Sequence, residues 1–139
     1  MTRHDALGRL MRGVGHDVRE YSLLQALLED QFRAALRHDT IRLGDLARRI
    51  TSQVDALDAR RVERVELVRL LAGDEATLPA TFALLSDKPR AAMETGWAAL
   101  QGLVNECKRL NARNCELLME QHAIMQRVLH GETETYAPA

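Results

Sequence analysis

The segment CKRLNARNC, from Cys107 to Cys115, sets two thiols and two side-chain amides close together. Such residues could ligate a metal or exchange electrons, so the spacing must be tested first. On a helix, eight residues at 1.5 Å each put the two Cα atoms roughly 12 Å apart, beyond the roughly 7 Å a disulfide spans. Helical metal ligands want partners at i,i+3 or i,i+4, and neither cysteine has a Cys, His or Asp there; His122 lies seven residues from Cys115. No metal is expected, and the thiols read as small buried hydrophobes. His4, His16, His38, His122 and His130 stand singly, mostly in polar or terminal contexts. Glu116 and Glu120 read as solvated, since Glu120 faces away from the apolar stripe of this segment. With no nucleophile elbow and no glycine-rich phosphate loop, the chain is not expected to be an enzyme or to need a cofactor.

The asparagines are more telling. With Cys107 at zero and 100° per residue, Leu100, Leu103, Val104, Leu118, Met125 and Leu129 fall within about 60° of it. Asn111 and Asn114 share that stripe, at about 40° and −20°. A buried amide must find partners or cost about 1–3 kcal/mol, and in helical seams such residues set register and partner choice. Either a cross-helix hydrogen bond within the chain or contact with a partner fits this placement.

These residues require long helices to hold them. No alternating strand pattern occurs, and no Asn-Gly or Asp-Gly turn. Leu7, Leu10, Val14, Val18, Tyr21, Leu24, Leu28, Phe32 and Leu36 recur every three or four residues and predict a first helix. Gly13 and Gly15 predict a frayed start over 1–16, with a firm helix from about Asp17 as N-cap. After the polar break RHDTIRLGDL, which either bends the chain slightly or reverses it, Leu43, Leu46, Ile50, Val54, Leu57, Val65, Val68 and Leu71 mark a second helix. Arg61 falls where its stripe wants an apolar residue, and Gly73 ends it. Glu29–Arg33 and Asp45–Arg49 form i,i+4 pairs. Pro79 and Pro89 bracket a short helix carrying Leu78, Phe82, Leu84 and Leu85. From Pro89 to about Leu129 one helix runs for about 60 Å, followed by a mobile tail over 131–139. The fold class is all-α: an elongated antiparallel hairpin or bundle of three long helices plus one short helix, in a single domain spanning 1–139.

Composition narrows the function. The 139 residues carry 19 basic and 20 acidic side chains, a balance that does not favour nucleic acid or an anionic membrane. No apolar run approaches the roughly 20 residues of a membrane span. The charged N-terminus lacks the apolar core of a secretory signal, so a cytoplasmic location with reduced thiols is expected.

Taken together, WAALQGLVNECKRLNARNCELLMEQH and ETYAPA resemble the FlgN family, whose pattern is an aromatic residue, then C-x-x-L-N-x-x-N-x-x-L, then a tail with T-Y-G-x-x-G. Trp97, Cys107, Leu110-Asn111, Asn114 and Tyr136 carry the likeness; the tail here reads TYAPA, without the glycines. LEDQFRAALRHDTIRLGDLARRI looks like the first hairpin of the family. The resemblance implies a bacterial cytoplasmic chaperone of flagellar type III export. Its partners would be hook-associated proteins of the hook–filament junction, bound through their C-terminal helical segments, and the cytoplasmic domain of the export gate. The last helix outruns its partners. Its partner-binding residues are therefore expected to be Asn111, Asn114, Leu117, Leu118, Gln121, His122, Met125, Val128 and Leu129, with Tyr136 docking on the gate. Met119 lies on another side. Two other readings stand beside it: a coiled-coil homo-oligomer, such as a homodimer, that uses the same stripe for itself, and a nucleic-acid regulator working through Arg48, Arg49, Arg60, Arg61 and Arg64.

Overall fold

The computed structural model describes residues 1–136, and side chains over 1–131. Three long helices and one short one make up the described residues: α1 Arg3–Leu36, α2 Thr40–Ala72, the 3-10 helix η1 Leu78–Leu84, and α3 Asp87–Tyr136. The expected fraying of residues 1–16 is absent. Thr2 closes a capping box with Asp5, its Oγ1 accepting the Asp5 N–H at 3.1 Å, which satisfies orphan donors at the helix start. Gly13 and Gly15 lie inside an unbroken helix whose neighbours Leu10 and Val14 are buried. Tertiary burial outweighs the roughly 1 kcal/mol that each helical glycine costs.

A hairpin, not a bent rod, joins α1 to α2. His38 takes a left-handed φ of 53°, and the His38 and Asp39 amides return to the carbonyls of Ala35 and Ala34 at 3.1 and 3.0 Å. Asp39 then caps α2 by accepting the Arg42 N–H at 3.0 Å. At the other end, Gly73 closes α2 with φ 102°. Leu78 and Leu85 of the η1 segment are buried, and Arg90 ties that segment to α3 by donating to the Phe82 and Leu85 carbonyls.

The pairing of residues gives the topology. Between α1 and α2, Glu20 meets Gln53 and Asp17 meets Arg60, so one number rises as the other falls and the helices are antiparallel. Between α1 and α3, Tyr21 meets Cys107, Leu28 meets Asn114 and Ala35 meets Gln121, so these two run parallel. Helix α1 is therefore central: its backbone packs against both long neighbours, while the α2 and α3 backbones make no close approach among the described residues.

Two apolar clusters fill the interfaces. One gathers Leu10, Val14, Leu67, Leu78, Met93 and Leu100 near the η1 end; the other gathers Leu24, Leu28, Leu57, Cys107 and Leu110. Asp17, placed along α1 between them, is buried rather than capping a helix. It receives the Arg60 guanidinium on one carboxylate oxygen and Arg64 Nη1 at 2.7 Å on the other. Arg60 also donates to the Gly13 carbonyl, and Arg64 lies 5.7 Å above the Trp97 ring. The polar interruption expected at Arg61 belongs instead to its neighbours Arg60 and Arg64, because Arg61 is exposed and pairs with Asp58. Glu29 does not pair with Arg33 either: Arg33 binds Asp30, and Glu29 faces Arg113 of α3 at 3.5 Å. The Asp45–Arg49 pair forms at 3.9 Å.

Asp17→Ala should lower stability by about 3 kcal/mol, since it leaves two partly buried guanidinium groups without their anion. Urea unfolding followed by circular dichroism measures this; a loss within about 0.5 kcal/mol would show that the arginines find water instead.

Candidate partner-binding site

The α1–α3 seam is built on a seven-residue rhythm. Cys107, Asn114 and Gln121 each donate to an α1 main-chain carbonyl, those of Tyr21, Leu28 and Ala35, at 3.6, 2.7 and 2.9 Å. The offset is 86 residues at every rung. A seven-residue repeat keeps one stripe facing a parallel neighbour, and Met93 and Leu100, buried, continue it upward.

Asn114 is the best-satisfied rung. Its Nδ2 donates to Leu28 O and to Gln31 Oε1 at 2.8 Å, and its Oδ1 accepts from Arg113 Nε at 3.2 Å. Arg113 lies flat on the Phe32 ring, 3.7 Å from its centroid; its Nη2 makes no hydrogen bond but faces Glu29. The amide is thus used inside the chain, the first of the two placements that the residues left open. Gln121, half-buried, is engaged in the same way and serves the last turn of α1, where carbonyls lack intrahelical donors. Asn111 is exposed, with the Cys115 thiol 3.9 Å from its Oδ1.

The two cysteines differ. Cys107 is buried and Cys115 exposed, both as free thiols. Burial, with the Glu106 carboxylate beside it, pushes the Cys107 thiol up to about 11. Among the described residues, no three His, Cys, Asp or Glu side chains are grouped to hold a metal ion.

Beyond Gln121 the seam loses its partner, because α1 ends at Leu36 while α3 continues. Leu117 and Leu118 are half-buried, and every side chain from His122 to Gly131 is exposed. Ile124, Met125, Val128 and Leu129 are 52, 57, 55 and 53% exposed. Ile124 is not among the contacts expected from the sequence, although it stands seven residues after Leu117 and so continues the same stripe. Met119 is exposed on another face. The helix also continues through residues expected to form a tail. The backbone of Tyr136 ends it; the side chain of Tyr136 lies outside the described residues, as do residues 137–139.

The five arginines of the nucleic-acid reading are all in ion pairs: Arg48 and Arg49 with Asp45, Arg61 with Asp58, Arg60 and Arg64 with Asp17. Among the described residues no helix is long and apolar enough to cross a membrane.

The family described as FlgN protein matches residues 7–131, nearly all of the chain. No curated protein and no solved structure is a match.

Two measurements check the seam. Asn114→Ala should cost about 1–3 kcal/mol, because Gln31 and Arg113 lose a buried partner. In a thiol-titration assay at pH 8, Cys115 should react promptly and Cys107 only on unfolding. Burial raises the folded thiol above its unfolded value, so its contribution to stability is full below about pH 9 and is lost as pH rises toward 11. Equal reactivity of both thiols at pH 8 would contradict the buried rung.

Proposed function

The chain belongs to the FlgN family, and from that premise we propose that it is a cytoplasmic chaperone for the C-terminal helical segments of hook-associated proteins. Membership makes it a flagellar export chaperone in general terms; the choice of client and its delivery to the cytoplasmic domain of the export gate are part of the proposal. The observation that carries the reading is the projecting end of α3. Ile124, Met125, Val128 and Leu129 extend the seam past the last turn of α1 with their side chains in water.

A segment that forms a coiled coil in its final assembly has an apolar stripe of its own, which associates indiscriminately when left bare. A second apolar stripe at i,i+3/i+4/i+7 spacing covers it without chemistry. Leu117, Leu118, His122, Met125, Val128 and Leu129 are the proposed contacts, joined by Ile124. Asn111 sits beside the upper end of this surface, and Asn114 and Gln121 act indirectly by holding α3 in register. The thioether of Met125 suits clients of differing shape, because it repacks at little cost. Tyr136 is proposed to reach the gate, so capture and delivery would use successive parts of one helix. No catalysis is part of this reading.

Covering four half-exposed apolar side chains is worth on the order of 4 kcal/mol. Met125→Glu with Val128→Glu should therefore weaken binding of a hook-associated C-terminal peptide more than ten-fold by calorimetry. Helix content by circular dichroism should hold, as both residues are exposed. Unchanged affinity would remove the overhang from the mechanism. A chain ending at Gly131 should keep the peptide and lose the gate domain; loss of both would deny the division of labour.

A further inference from the structure

Seven arginines of this chain, among the described residues, find a carboxylate one turn away along their own helix. Arg33 binds Asp30, Arg61 binds Asp58, Arg69 binds Glu66 and Arg109 binds Glu106. Arg12 and Arg19 do not. Three and four residues to either side of Arg12 stand Gly8, Arg9, Gly15 and His16; around Arg19 stand Gly15, His16, Ser22 and Leu23. Arg9 has Asp5 four residues before it, but that carboxylate is hydrogen-bonded in the Thr2 capping box. Among the described residues Arg9, Arg12 and Arg19 make no ion pair, although all three are exposed.

These arginines lie on one face. Arg9, Arg12, His16 and Arg19 fall at spacings of three, four and three, within about 80° of arc and along roughly 15 Å of α1. Glycines make the face flat. A Cβ on Gly8 would come within 3.0 Å of Arg12 Nη1, and one on Gly15 within 3.9 Å of Arg19 Nη1. Each guanidinium thus lies back along the helix over a glycine four residues before it. The stripe borders a cleft of about 530 Å³ whose far wall is α2, where Arg60 and Arg64 stand over Asp17. His16 faces Glu20, and Glu63 of α2 is the other carboxylate at the cleft. The chain as a whole carries a net charge of −1, so this is a local concentration of positive charge.

We propose that this stripe is a second docking surface, for a protein helix presenting carboxylates at matching spacing. Planar guanidinium groups bind carboxylates in bidentate fashion. A row of arginines 15 Å long matches a row of acidic residues on a helix better than it matches a small anion. The surface lies roughly 35 Å along the bundle from the overhang of α3, counting the intervening rise. Both surfaces can therefore be occupied together, one apolar and one salt-sensitive.

The test uses the full chain and two fluorescein-labelled alanine-rich helical peptides of equal composition, read by anisotropy at 150 mM salt. One places glutamates at i, i+3, i+7 and i+10; the other distributes them around the helix. The matched peptide should bind at least ten-fold more tightly than the distributed one, and more weakly as salt rises. Arg12→Glu with Arg19→Glu should remove at least ten-fold of that affinity. Lys88→Glu with Lys108→Glu, an equal change of net charge elsewhere, should not. Equal binding of the two peptides, or an equal effect of the two charge reversals, overturns the proposal. So does displacement by a single-stranded oligothymidylate at lower concentration than by unlabelled matched peptide, which would assign the stripe to nucleic acid. Arg12→Glu/Arg19→Glu should leave hook-associated peptide binding unchanged, and Met125→Glu/Val128→Glu should leave the acidic peptide bound, so failure of either surface is read separately.

Discussion

The constant 86-residue offset between α1 and α3 is the constraint from which the rest of the molecule follows. Two parallel helices joined by an apolar seam of seven-residue period could slide by whole repeats at modest cost, since each slip again brings apolar residues face to face. Main-chain carbonyls alone would not prevent it, because α1 offers one at every repeat. The amide of Asn114 also needs Gln31, and a slip by seven residues would offer His38 or Leu24 in its place. Arg113, on Phe32 and beside Glu29, adds a second position-specific contact. The seam thus has one register, and a buried polar group supplies it, at some expense in stability compared with an all-apolar interface.

That register decides how far α3 projects. With Gln121 on the carbonyl of Ala35, the last turn of α1 is used up, and α3 runs on past the end of α1. The apolar residues after Gln121 are therefore left in water by geometry, although their spacing is that of the buried seam above them. Capture of another helix is the natural use of such an end, because the stripe is already formed and rigid before a client arrives. The other side of α1 is held differently. Its contact with α2 includes a carboxylate shared by two arginines between two apolar clusters, so α2 is oriented by charge as well as by burial. Arg9, Arg12 and Arg19 of α1 stay outside that clamp, which separates a charged region near the start of the bundle from an apolar region at its far end.

Much of this was legible in the residues. The apolar positions of α1 and α3, the absence of strands, the η1 segment between two prolines and the overhang all follow from periodicity and breakers, since they depend on neighbours within a turn or two. Cys107, Leu110, Asn111 and Asn114, on which the FlgN likeness largely rested, lie in or beside one seam. Misreadings had local causes. Gly13 and Gly15 looked like helix breakers because the burial of their neighbours Leu10 and Val14, and the Arg60 guanidinium of α2 beside Gly13, are invisible along the chain. Asp17 looked like a cap because Asp is common there, whereas two arginines more than forty residues later had already claimed it. Glu29 looked paired with Arg33 because only intrahelical partners can be read from spacing.

What the sequence by itself determined is the helical content, the stripe each helix offers, and the presence of two amides where a seam wants apolar side chains. Only the tertiary structure decided that α1 is central, that α3 runs parallel to it, and that Asn114 and Gln121 are used within the chain while Ile124, Met125 and Val128 are left exposed. The physical reason is that periodicity defines a face but not its partner. Amides separated by more than eighty residues in sequence find their acceptors only when two helices settle into one register, and that register also determines which part of the stripe is covered.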